Sequence, residues 1–231
     1  MVSLSNYINL SPSAASIKDV YTDGVIFNER YKKINELEKK SFLRHYIINN
    51  GPFAFRNTPL LFEQITQYIA DKLEISPSNV KLIGSAKTGF SLDVPPNYGK
   101  PFSSESDLDF SIINENLFYI LEEEFKAWVE LYENKQIQPA NQREEKFWAA
   151  NRYEVPKYQL RNGLIDTYKI PNQSEFPTAQ KINNSLSLIV SNLGSKYSII
   201  TKRASARVYS SWDTFAKQIK VNTETILSKT N

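Results

Sequence analysis

Two aspartates separated by one residue are the first chemically informative feature of the sequence. Asp107 and Asp109 flank Leu108, and residues two apart in a strand point to the same face. The two carboxylates would stand side by side on a rigid strand while Leu108 points into the core. Such a pair suits Mg²⁺, which keeps several waters and takes further ligands from phosphates. Two such ions, ~3.5–4 Å apart, can promote an in-line displacement at phosphorus.

A Gly-Ser pair upstream offers the second half of a phosphate site. Gly84 and Ser85 follow an apolar segment, 80–83, and a strand that turns at glycine into a helix directs free backbone N–H groups at a phosphate. The Ser85 hydroxyl adds a hydrogen-bond donor, and Gly89 lets the chain turn back closely. Lys87 lies just past the turn, and the sequence leaves open whether it contacts the phosphates.

Taken together, these segments resemble a known superfamily. An apolar strand, Gly-Ser, a nearby Gly and then Ser-Asp-x-Asp-apolar occur within residues 80–113. The pattern looks like the nucleotidyltransferase superfamily that shares the DNA polymerase beta palm, especially the minimal nucleotidyltransferases of toxin–antitoxin pairs and the bacterial cGAS-like and oligoadenylate synthase enzymes. Residues 161–166 and 205–209 are more loosely similar to uncharacterised stand-alone bacterial members. The spacer before Asp107 is longer than in minimal members, with 94–100 as an insertion.

The resemblance implies a metal-dependent enzyme. The family uses a third carboxylate on a later strand, and Asp166 is the candidate, with a turn or capping carboxylate as the alternative. Asp107, Asp109 and Asp166 would bind two Mg²⁺ ions, for which Mn²⁺ can substitute, and Asp166 would help to deprotonate an acceptor hydroxyl. The hydroxyl would attack the α-phosphate of a nucleoside triphosphate such as ATP and release pyrophosphate. The acceptor would be a protein hydroxyl, an RNA end or another nucleotide, in a bacterial antiviral defence or toxin–antitoxin setting with a partner protein.

Two other functions stay open. A catalytically silent nucleotide-binding protein, such as an antitoxin subunit, would apply if Asp166 were out of reach of the other two carboxylates. An RNA-binding module would use the basic residues Lys202, Arg203 and Arg207, which are otherwise candidate triphosphate contacts or a solvated face. The net charge of +3 is far from the dense positive field of a dedicated nucleic-acid-binding protein.

Composition narrows the chemistry further. The chain has no cysteine, which excludes disulfides, thiolate zinc sites and cysteine nucleophiles. The single histidine, His45, makes a Ser-His-Asp triad or a multi-histidine metal site improbable and is expected to be structural. No apolar stretch reaches the ~18 residues of a membrane span, and the polar start lacks a signal-peptide pattern. We therefore expect a cytoplasmic protein without membrane association.

Periodicity and caps predict the elements that position these residues. Helices are predicted over 28–49, from Pro59 to Leu73 after a Thr58 cap, over 116–134, over 178–193 with Gly194 closing the helix, and from Trp212 after a Ser211 cap. Strands are predicted over 80–83, 108–113, 163–170 and 205–209, with a loop over 90–106 and no assignment for 134–160.

The expected fold class is α+β, with a small mixed sheet forming a nucleotidyltransferase core flanked by helices. The expected organisation is a polar leader (1–24), a catalytic core with N-terminal helices (25–175) and a helical C-terminal part packed on the core (176–231).

Overall fold

The computed structural model describes residues 4–230; Met1–Ser3, at the start of the predicted leader, and Asn231 lie outside the described residues. The helices are α1 (Ser5–Ile8), α2 (Pro12–Ala15), α3 (Gly24–Lys33), α4 (Glu36–Leu43), α5 (Pro59–Leu73), α6 (Ser85–Thr88), α7 (Glu115–Glu133), α8 (Gln142–Tyr158), α9 (Pro177–Tyr197) and α10 (Trp212–Ser228). The strands are β1 (Val80–Ile83), β2 (Leu108–Ile113), β3 (Leu164–Asp166) and β4 (Ala204–Tyr209).

A four-stranded mixed sheet in the order β1-β2-β4-β3 lies at the centre. β1 runs antiparallel to β2, β2 runs parallel to β4, and β3 runs antiparallel to β4. The α+β class is thereby confirmed. Because β4 lies between β2 and β3, the segment 176–231 supplies an interior strand of the sheet as well as helices.

One face of the sheet is apolar and carries the larger core. Leu82, Phe110 and Val208 lie on this face and are at most 2% exposed, beneath a layer formed by α5, α7 and α9. Trp128 of α7 is fully buried in the same core. Burying each large apolar side chain contributes about 1.5–3 kcal/mol, so this face holds the strands firmly in register.

The opposite face is divided between an apolar and a polar end. Its apolar end, which includes Ile113 and Tyr209, packs against aromatic residues of α3 and α4 and against α10. Its polar end carries Asp109 and Ser205, which face each other in the parallel β2–β4 register. The N-terminal helices thus cover one end of this face.

Several local predictions need correction. The predicted helix 28–49 is divided into α3, α4 and a π-helical turn, Arg44–Asn49, because Asn35 starts α4 anew through a capping box with Glu38. Gly194 lies inside α9, which ends instead at Ser198 in the left-handed region (φ 55°).

The chain around the third predicted strand also differs from expectation. β3 ends at Asp166 and continues as a 3₁₀ turn, Thr167–Lys169, so the predicted strand 163–170 was too long. The unassigned region contains α8, which is capped by the Asn141 side chain. Among residues 4–230, no helix combines the length and apolar character needed to cross a membrane.

Candidate functional site

The turn after β1 brings backbone directly against one of the two aspartates. Ile83, the last residue of β1, pairs with Asp109 in β2. Gly84 follows with φ 69° and ψ −159°, a conformation that is essentially restricted to glycine. A Cβ at Gly84 would lie 2.8 Å from Asp109 Oδ2. The missing side chain therefore allows the Gly-Ser turn to approach the carboxylate.

The Gly-Ser turn and the aspartate pair line one cleft of about 440 Å³. Gly84, Ser85, Asp107 and Asp109 all border it, so the structure brings together the two segments that the sequence analysis singled out. α6 has only four residues. The donors available to an anion here are therefore the first amides of that turn and the Ser85 hydroxyl.

The loop over 90–106 forms another wall of this cleft. Asp93, Asn97, Lys100 and Glu105 border it. Lys100 Nζ donates a 2.7 Å hydrogen bond to Asn97 Oδ1, and Asn97 Nδ2 donates a 3.3 Å bond to Asp93 Oδ2. Lys100 was not predicted as a site residue, because one lysine in a proline-rich insertion forms no pattern from which a site can be recognised.

The two aspartates have different surroundings. Asp109 is partly buried and its Oδ1 accepts a 3.0 Å hydrogen bond from Ser205 Oγ. Burial raises the pKa of Asp109, the Ser205 hydroxyl opposes the rise, and the charge of Asp107 adds to it. Asp107 Oδ2 accepts a 2.8 Å bond from Arg203 Nε. The positive charges of Arg203 and Arg207 also oppose the rise in the pKa of Asp109.

Asp166 is held in a different arrangement. The residue is 5% exposed, and its carboxylate accepts two bonds from Arg207, Nε to Oδ1 at 2.7 Å and Nη2 to Oδ2 at 2.9 Å. Gln159 Nε2 donates a further 2.8 Å bond to Oδ2. β4 separates β3 from β2 and presents Ser205 opposite Asp109.

Asp109 and Asp166 line one cavity of about 280 Å³, which Asp107 does not border. Within residues 4–230, no three His, Cys, Asp or Glu side chains are grouped so that they could hold a metal ion. Asp107 and Asp109 therefore remain the paired carboxylates of the site. The role of Asp166 as a third ligand stays a prediction, and the present position of its carboxylate, paired with Arg207, does not favour it.

Lys87 and Gly89 lie behind the turn and do not border the cleft. Lys87 is 2% exposed, and its Nζ donates a 3.3 Å bond to the Ile48 carbonyl. Burial, together with the charge of Lys81, lowers the pKa of Lys87 to about 8. Gly89 ends α6 with φ 89°, and a Cβ there would meet the Phe53 ring at 2.8 Å. Both residues fix the turn from inside the protein.

The basic residues near β4 are divided between two cavities. Lys202 borders the cleft of the Gly-Ser turn, and its backbone N–H donates a 3.0 Å bond to the Ser106 carbonyl. Arg203 and Arg207 border an adjoining cavity of about 280 Å³, which Asp109 also lines. Because both arginines pair with carboxylates, they do not form a free positive patch. His45 is structural, with Nε2 2.9 Å from the Asp19 carbonyl oxygen.

Comparisons of the chain with protein-family models, with curated proteins and with solved structures gave no match. The fold and the site thus define an α+β protein with a cleft at the polar end of its sheet, built from a Gly-Ser turn and two neighbouring carboxylates.

Proposed function

We propose that the protein is a Mg²⁺-dependent nucleotidyltransferase that moves a nucleoside monophosphate from a nucleoside triphosphate to a hydroxyl acceptor. The observation that carries the proposal is the close approach of Gly84 to Asp109 Oδ2 in a cleft that Ser85 and Asp107 also border. A triphosphate needs N–H and O–H donors for its oxygens and a cation to offset its charge. This cleft has groups for both purposes.

The donor set fits a divalent cation. Asp109 lies on β2 and Asp107 immediately precedes that strand, and the glycine at position 84 leaves the space beside Asp109 Oδ2 free of a Cβ. Carboxylate oxygens are the ligands that Mg²⁺ prefers in proteins. Mg²⁺ held there would offset the charge of the phosphates and polarise the α-phosphate.

The remaining side chains bind and orient the substrate. The Ser85 amide and hydroxyl donate to the terminal phosphates, while Lys100 and Lys202 at the cleft walls offset negative charge. Ser205 and Arg203 fix the orientations of Asp109 and Asp107 through their hydrogen bonds. In the transfer, the acceptor oxygen bonds to the α-phosphorus as the α–β bridging P–O bond breaks, and pyrophosphate and the hydroxyl proton are released.

A second candidate is a nucleotide-binding protein without transferase activity, acting through a partner protein in a defence or toxin–antitoxin setting. The pairing of Asp166 with Arg207 and Gln159 favours this candidate, because the superfamily pattern uses a third carboxylate in catalysis. Both candidates require the same triphosphate cleft.

Transfer of label separates the two candidates. Wild type and an Asp107→Asn/Asp109→Asn variant are incubated with each α-labelled ribonucleoside triphosphate and Mg²⁺ or Mn²⁺, and the products are resolved as small molecules, protein and RNA. A transferase labels one fraction in the wild type only, and that fraction identifies the acceptor class. Triphosphate binding without transfer, with cellular RNA and extract supplied, supports the silent protein. Equal transfer by both forms contradicts the proposed site.

A further inference from the structure

A groove leads from Asp109 towards the far edge of the sheet. Tyr168, in the 3₁₀ turn after β3, borders the 280 Å³ cavity that contains Asp109 and also a neighbouring cavity of about 310 Å³. Ala204 borders both cavities too. Gly84 follows β1 on one side of β2, whereas Tyr168 follows β3 on the other side. The groove therefore extends away from the Gly-Ser turn.

Two aromatic rings line the outer part of this groove. Phe147 of α8 and Tyr168 have ring centroids 6.4 Å apart and planes inclined by 20°, and they are 36% and 48% exposed. Lys169 Nζ lies 4.8 Å from the Phe147 centroid and 5.5 Å from the Tyr168 centroid. A 2.8 Å bond to Asn151 Oδ1 fixes that ammonium group.

A flat polar ring is the ligand that this combination suits. Single exposed aromatic residues are common on protein surfaces, but here two nearly parallel rings and a fixed cation lie in one groove. Any of the nucleobases can stack on such rings, because every base has a flat π-face. The arginines of the inner cavity are already paired with Asp107 and Asp166, so the groove is better suited to contact a base than to attract phosphate by charge alone.

We propose that Phe147 and Tyr168 form a nucleobase-binding subsite, an inference that rests on the proposed transferase function. The sugar lies in the inner cavity beside Asp109 and Ser205, and the base lies against the two rings. The base belongs either to the triphosphate or to an acceptor nucleotide, such as a mononucleotide or the 3′ end of an RNA. Both sources share the same chemistry, a nucleobase attached to a ribose phosphate.

The test compares substitutions that remove a ring with substitutions that keep one. Tyr168→Ala and Phe147→Ala remove the stacking surface, Tyr168→Phe keeps it, and Tyr153→Ala removes a 64%-exposed tyrosine of α8 that does not line the groove. Each variant is titrated with inorganic tripolyphosphate and Mg²⁺, with the four triphosphates and Mg²⁺, with the four mononucleotides, and with a six-nucleotide RNA and its abasic counterpart. The side chains at all three substituted positions are exposed, so we expect the variants to fold.

The two alanine variants are expected to bind a base-bearing probe roughly 5- to 150-fold more weakly, the equivalent of about 1–3 kcal/mol per stacked base. Tripolyphosphate and the abasic RNA should bind as they do to wild type. Weakening confined to the triphosphates assigns the subsite to the donor base, and weakening confined to the RNA or mononucleotides assigns it to the acceptor.

The inference is overturned if Tyr168→Ala binds every base-bearing probe as tightly as Tyr168→Phe, or if Tyr153→Ala weakens them equally. Transfer to a protein acceptor with unchanged nucleotide affinities in the alanine variants overturns it as well. If wild type fails to bind tripolyphosphate or triphosphate with Mg²⁺, the proposed function fails instead, while the RNA titrations still decide the subsite.

Discussion

At the scale of single residues, the site depends on a position where any side chain would be strained. Gly84 combines a positive φ with a close approach to Asp109 Oδ2. Either property alone would disfavour a side chain, and the absence of one lets the Gly-Ser turn lie directly against the Asp109 carboxylate.

Gly84→Ala is therefore expected to lower the free energy of unfolding by about 1–3 kcal/mol through backbone strain and to displace the Asp109 carboxylate. Gly99→Ala is the matched control, because Gly99 has φ 79° and a Cβ there meets nothing within 4 Å. Urea unfolding and Mg²⁺–triphosphate titration of both variants measure the two effects. Both should lose stability, but only Gly84→Ala should lose triphosphate affinity; equal affinities would contradict the role given to this contact.

The residues of the candidate site could be predicted where the pattern that marks them lies within a few neighbouring residues of the sequence. Gly84, Ser85, Asp107 and Asp109 lie at strand ends, where spacing determines which way side chains point. Lys87 shows the limit of such reasoning, since it lies only two residues after Ser85. Because successive residues of a helix are rotated by about 100°, the Lys87 side chain points roughly 200° away from that of Ser85. Its amine points to the Ile48 carbonyl.

At the scale of elements, β4 decides how the charged residues are paired. Its register places Ser205 opposite Asp109 and Arg207 opposite Asp166. The sequence predicted the strand, but its position between β2 and β3 depends on contacts between residues far apart in the chain. The pairing of Asp166 with Arg207 could therefore not be predicted from spacing.

Removing one partner of this pair should cost stability. Asp166 is almost fully buried, and in Arg207→Met its carboxylate loses both arginine hydrogen bonds but keeps the one from Gln159. We expect a loss of about 2–3 kcal/mol, below the 3–5 kcal/mol of a fully buried pair because the Arg207 side chain is 32% exposed. Urea unfolding of Arg207→Met, Asp166→Asn and the double variant measures the coupling between the two side chains.

A variant of Asp166 distinguishes a structural role of this residue from a role as a metal ligand. If its role is structural, Asp166→Asn lowers stability but leaves Mg²⁺–triphosphate affinity within about twofold of wild type, an energy of ~0.4 kcal/mol. A large loss of metal-dependent binding with unchanged stability would instead show that Asp166 is a ligand.

At the scale of the whole molecule, the buried amine of Lys87 joins the Gly-Ser turn to the N-terminal part of the chain. Lys87 connects α6 to the carbonyl of Ile48 at the π-helical turn. The divided helix 28–49 escaped prediction because its apolar spacing continues across the break at Asn35. Caps and periodicity predicted α5, α7 and α9 as separate helices, whereas their assembly into one layer and the contact of the N-terminal part with the site depended on tertiary packing.

This amine should make stability depend on pH. The pKa of Lys87 is about 8 in the folded protein and 10.5 in the unfolded chain, so the unfolded chain binds more protons between these values. Stability therefore rises with pH across this window, and the cost of burying the charge is fully present below pH 8. Between pH 7.5 and 9.5 the gain is about 2 kcal/mol.

Lys87→Met should abolish that rise and be more stable than wild type at pH 7.5, as measured by urea unfolding at both pH values. The measurements end at pH 9.5 because buried tyrosines lower the free energy of unfolding at higher pH. Burial raises the pKa of Tyr98, for example, to about 12. An unchanged slope in Lys87→Met would show that this amine is not the group responsible.

The central claim, that the Gly-Ser turn and the two aspartates form one triphosphate site, is tested most directly by equilibrium binding. Calorimetric titration of a nucleoside triphosphate with a non-cleavable α–β bridge is carried out with Mg²⁺ and with EDTA. The proteins are wild type, Asp107→Asn/Asp109→Asn, and Asp71→Asn as an exposed control on α5. We predict that Mg²⁺ strengthens binding about tenfold or more, ~1.4 kcal/mol, in wild type and Asp71→Asn only. Equal affinity with and without Mg²⁺, or an undiminished Mg²⁺ effect in the double variant, would contradict the account.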